Sequence, residues 1–143
     1  MRRRIISAAL GLLLIAGPAC AAEVSVTNAW IRALPARLPA GGYFMLKNLG
    51  KSDVALTGAS SPSCGMLMLH RSTDANGVSS MSDMPTVAVA AGATVLFAPG
   101  GLHLMCMEPT ASLKPGTRAL VTLQFSDGTT STATFAVKDA KGK

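Results

Sequence analysis

Met66-Leu67-Met68-Leu69-His70 and Leu102-His103-Leu104-Met105-Cys106-Met107 each alternate between two kinds of side chain. Successive side chains of an extended strand point to opposite faces. Leu67 and Leu69 therefore share one face, and Met66, Met68 and His70 share the other. In the second stretch Leu102, Leu104 and Cys106 lie behind His103, Met105 and Met107. This is the pattern of half-buried strands with a leucine core on one side and imidazoles and thioethers on the other.

The rest of the chain reads the same way. Short alternating runs are expected as strands at Val24–Asn28, Trp30–Arg32, Gly42–Asn48, Asp53–Ala59, Met66–Arg71, Val78–Met84, Val87–Val89, Thr94–Phe97, His103–Glu108, Ala119–Phe125 and Thr130–Val137. Turn residues punctuate them, most sharply Asn76-Gly77 and Asp127-Gly128, both hairpin signals. Pro35 to Gly42 reads as a loop within one domain. No window has a helical period. Many short strands with regular turns predict an all-β sandwich or barrel.

The first 22 residues read as an export signal: Arg2-Arg3-Arg4, then the apolar run Ile5–Gly17, then small residues through Ala22. That run is too short to span a bilayer, which takes about 20 apolar residues. Cys20 is a second candidate boundary, as a lipidation site, although Gly17 and Pro18 fit such a site poorly. The expected organisation is a signal peptide at 1–22, one β-sandwich domain at 23–137 and a short disordered tail at 138–143.

Three of the thirteen basic residues belong to the leader, so its removal lowers the formal charge from +6 to +3. The remaining cations are scattered and aromatics are few. That excludes the electrostatic footprint of a nucleic-acid-binding protein. No carboxylate pair, serine–histidine arrangement or phosphate loop suggests an enzyme, and Asp74, Asp83 and Glu108 read as turn or rim residues.

His70 and His103 are the only histidines. With Met81 and Met105 they form the pattern H, ten residues, M, twenty-one residues, H-x-M. Any one of the four alone would read as ordinary packing, because methionine commonly fills core gaps. Both histidines, however, join methionines on the same pleat faces. Imidazole with thioether suits copper, above all Cu(I), and suits hard cations poorly. Thioethers also do not form disulfides in an oxidising compartment, where thiolates would. Neutral ligands leave the cation under-compensated, so exchange to a thiolate acceptor is downhill. A carrier is expected rather than a catalyst.

Cys64 and Cys106 are expected as free thiols. If the two ligand strands pair antiparallel with His70 opposite Leu104, Cys64 lies ~13 Å from Cys106, beyond the ~7 Å that a disulfide allows. By alternation Cys64 also shares the ligand face, and Cys106 the core face.

In order, spacing and flanks, these residues resemble the periplasmic PCuAC family, the copper(A) chaperones. The similarity runs through Ala29-Trp30-Ile31-Arg32-Ala33, Ala40-Gly41-Gly42-Tyr43, Gly58-Ala59-Ser60-Ser61-Pro62 and Ala98-Pro99-Gly100-Gly101-Leu102-His103-Leu104-Met105. Lys114-Pro115-Gly116, followed by Val121–Phe125, also fits. The resemblance implies a cupredoxin-like Greek-key β-sandwich, monomeric and without a membrane span, holding one Cu(I) by His70, Met81, His103 and Met105. It implies copper delivery for cytochrome c oxidase assembly, directly or through a thiol-bearing copper chaperone. The chain departs from the family in having Arg71 after the first histidine and no His or Met in its C-terminal residues. Two other functions compete. A blue-copper electron-transfer cupredoxin would need a cysteine thiolate, and an exported β-sandwich without metal would bind no copper.

Overall fold

The computed structural model describes residues 20–143, so most of the expected export signal lies outside it. Ten strands form a barrel-like sandwich: β1 Val24–Arg32, β2 Ala40–Asn48, β3 Val54–Ser60, β4 Cys64–Ala75, β5 Val78–Asp83, β6 Val87–Val89, β7 Thr94–Phe97, β8 Leu102–Pro109, β9 Arg118–Phe125 and β10 Thr130–Lys138. The only helical element among the described residues is a 3-10 turn at Pro35–Arg37, inside the expected loop. Among these residues no helix is long and apolar enough to cross a membrane.

The strands run in the order β5-β4-β8-β2-β1-β10-β9-β3-β6, and β3 also pairs with β4 at Ala59 and Leu67. That pairing closes the sheet on itself, with β5 and β6 as its outer strands. The core within is built on Phe44, stacked on Phe97 at 4.3 Å and edge-on to Phe135 at 5.4 Å. Leu46, Leu56, Val121 and Leu123 complete it, fully buried.

Local chemistry explains the strand boundaries. The two segments expected at Val24–Asn28 and Trp30–Arg32 are one strand, with a register shift between Thr27 and Trp30. Asn28 sits there at φ 53°, a left-handed conformation that asparagine tolerates in a bulge. Asn76-Gly77 forms the two-residue hairpin its sequence predicts, with φ 52° and 75° and Ala75 paired with Val78.

One expectation is corrected. Cys64 and Cys106 are not free thiols; they form a disulfide with Cα atoms 5.5 Å apart. Strict alternation fails between Cys64 and Leu67, which are both buried although their numbers differ by three. Gly65 lies between them, and across the pair Glu108 adopts φ 50°. This irregularity turns Cys64 inward, towards Cys106. The Asp139 carboxylate accepts hydrogen bonds from the Lys141 and Lys143 amides, both at 2.9 Å, and folds the chain end into a turn against Trp30.

Candidate metal centre

β4 and β8 pair antiparallel in a register that sets like against like: His70 faces His103, Met68 faces Met105 and Met66 faces Met107. Behind them Leu69 faces Leu104, and Leu67 faces Cys106. Directly opposed residues point to the same side of a sheet. The expected pairing of His70 with Leu104 would have set a ligand against a core residue. The observed pairing is one residue away and keeps every imidazole and thioether on one face.

The two imidazoles meet edge to face, with ring centroids 5.7 Å apart. His103 is 4% exposed, and its Nδ1 lies 3.0 Å from the Gly101 carbonyl oxygen. A carbonyl only accepts, so Nδ1 carries the proton and Nε2 keeps its lone pair. This is how histidine ligands are commonly oriented. Both ring nitrogens of His70 are buried and lack a hydrogen bond. Its Nε2 comes within 2.8 Å of the Asp83 carboxylate, but the approach is not aligned as a hydrogen bond. Asp83 is placed there by register, directly opposite His70 on β5. Buried polar atoms are nearly always satisfied, so the unbonded imidazole of His70 fits a metal ligand.

Met81 lies opposite Ser72, two residues beyond His70 on β4, and is therefore on the ligand face. Met81, His103 and Met105 line one cavity of about 290 Å³, together with Arg32 and Tyr43. The four residues singled out by spacing thus gather on one face of three adjoining strands. Among the described residues no group of three or more His, Cys, Asp or Glu side chains could hold a metal. The soft donors on this face are the methionine thioethers, which suit a soft ion. With Cys106 in a disulfide, a blue-copper site lacks its thiolate.

One part of the site was missed in the sequence. Arg32 lies over Trp30 at 5.3 Å and over Tyr43 at 5.4 Å, and Tyr43 stands 6.4 Å from His103. Lys138 covers Trp30 at 5.1 Å. Gly41 leaves the space over which the Tyr43 ring folds; a Cβ there would collide with it. Trp30 and Tyr43 are the only tryptophan and tyrosine of the chain, and Trp30-x-Arg32 puts two of these groups on one strand face. Those were the available signals.

The comparisons agree with this architecture. A putative lipoprotein of Leifsonia xyli subsp. xyli is 37% identical over 120 residues, 83% of this chain and 72% of that protein. Among solved structures, the copper-bound PCuAC domain from PmoF2 superposes with a TM-score of 0.69 at 21% identity, covering 84% of this chain and 96% of that one. The Cu(I) form of DR1885 from Deinococcus radiodurans gives 0.64 at 27% identity, covering 82% and 78%. These likenesses bear out the cupredoxin-like sandwich. The family model described as putative lipoprotein LpqE-like matches residues 24–137, and the chain belongs to that family, with the fold of the PCuAC domains.

Proposed function

We propose that the protein is an exported copper carrier that holds one Cu(I) by His70, His103, Met105 and Met81. The observation that carries this reading is the facing pair of imidazoles, His103 buried with an oriented free nitrogen and His70 partly exposed with neither ring nitrogen hydrogen-bonded. The thioethers of Met105 and Met81 lie on the same face. Copper here is cargo. A face open enough to leave Met81 52% exposed lets an acceptor ligand attach before a donor leaves. Thiolate acceptors draw the ion onward, which fits a thiol-bearing copper chaperone or the cytochrome c oxidase copper site as recipient. The copper-bound relatives of this fold support the metal, and the family's lipoprotein description supports export.

The test is a Cu(I) titration of the purified protein against a competing chelator, beside His103→Ala. One tight equivalent in the wild type, lost in the variant, is the expected result. Equal binding by the two proteins would defeat the reading.

One observation favours a leader boundary at Cys20 over cleavage after Ala22. The Ala22 amide donates to the Thr130 carbonyl at 2.9 Å, the Thr130 amide donates to the Cys20 carbonyl at 3.4 Å, and the Cys20 side chain is exposed at the start of this pairing. Intact mass of the exported protein separates the two: a lipid-modified Cys20 terminus, or a chain beginning at Glu23.

A further inference from the structure

We infer that Met66, Met68 and Met107 form a second site, made only of thioethers, for a soft monovalent cation. Met66 and Met107 are direct cross-strand partners, and Met68 follows Met66 on the same face. Directly opposed Cβ atoms stand ~5 Å apart and next positions along a strand ~6–7 Å apart. Three flexible thioethers reach a common point across those gaps. Ordinary packing does not account for the group. Met66 is 58% exposed, and Met68 and Met107 are only partly buried. The core side of these two strands is filled by Leu67, Leu69, Leu104 and the Cys64–Cys106 disulfide. The remaining methionines of the folded domain behave otherwise: Met84 packs on the core, and the sulfur of Met45 accepts a hydrogen bond from Asn28.

Neutral thioethers without imidazole bind a soft ion more weakly than the mixed His/Met set and exchange it faster. Met68 faces Met105, so the second site adjoins the first along one ladder. An ion moving between them makes one metal–sulfur bond as it breaks another, and its oxidation state does not change. The ladder then serves as the loading or unloading end of the carrier. That role rests on the proposed function, but the site itself does not.

The experiment is an Ag(I) titration of the purified protein with 13C-labelled methionine methyls. The expected result is two equivalents. The first perturbs Met81 and Met105. The second, weaker one perturbs Met66, Met68 and Met107, and Met45 and Met84 stay still. The variant Met66→Leu/Met68→Leu/Met107→Leu, close in volume and apolar, takes up one equivalent. Uptake of a single equivalent by the wild type, of two by the triple variant, or a second equivalent that moves other methyls would overturn the site. His70→Ala/His103→Ala separates the two ideas, because it loses the first equivalent and keeps the second. If that variant binds both ions as the wild type does, the His/Met reading fails and the thioether site stands.

Discussion

His70 and His103 oppose each other directly across β4 and β8, edge to face, with ring centroids 5.7 Å apart. Behind this pair lies Leu69 against Leu104, and two rungs along lies the half-cystine Cys106. The register that brings the imidazoles together is thus held from the core side.

The disulfide is one such hold. It closes a loop of 42 residues in sequence separation and ties the start of β4 to β8. The chain-entropy estimate for such a loop is roughly 3–4 kcal/mol. Cys64→Ser/Cys106→Ser is expected to lose about that much in urea denaturation and to bind Cu(I) less tightly than the wild type at the same temperature. A thiol assay on the denatured, unreduced protein is expected to find neither Cys64 nor Cys106 free.

Asn48 tests the fold apart from the site. Its buried side chain donates to the carbonyls of Ser52 and Val89 at 2.8 and 3.1 Å and accepts from the Gly50 amide at 2.9 Å. Asn48→Ala leaves these groups unpaired, at a cost of roughly 2–3 kcal/mol. Denaturant midpoints should fall accordingly, with Cu(I) affinity unchanged below the unfolding transition.

The aromatic stack gives the site a built-in reporter. Trp30, the only tryptophan, is 4.7 Å from Tyr43, which in turn neighbours His103. Arg32 lies over both rings, and partly desolvated cation–π contacts contribute about 1–2 kcal/mol. Arg32→Leu should lower stability by that amount and change the Trp30 emission. Cu(I) loading of the wild type should perturb the same emission, and His103→Ala should abolish the perturbation.

The exposed Met81 should separate from the packed Met84. Met81 lines the cavity with His103 and Met105, whereas Met84 packs on the core. In a chelator competition, Met81→Leu is expected to weaken Cu(I) binding by at least about tenfold, on the scale of a lost metal-site interaction. Met84→Leu should leave the affinity at the wild-type value.

Alternation made the faces of β4 and β8 readable from the sequence. Leu67, Leu69, Leu104 and Cys106 are buried behind the His/Met face, as their period of two requires. The register was not readable, because β4 and β8 are joined by three other strands rather than by a turn that would fix it. The expected pairing of His70 with Leu104 was one residue out, and alternation alone argued against it. The disulfide was missed for a related reason. It depends on a break in alternation at Gly65 and a left-handed Glu108, and the sequence marks that place with nothing but a glycine. Asp83, read as a rim residue, reaches His70 through the β4–β5 register, which the Asn76-Gly77 turn sets.

The central claim is a single cuprous ion shared by two imidazoles and two thioethers. X-ray absorption at the copper edge, on protein carrying one equivalent of Cu(I), measures that shell directly. The account predicts two nitrogen and two sulfur scatterers in the wild type and no such shell in His103→Ala. A shell of oxygen and nitrogen alone, or one unchanged by that substitution, would contradict it.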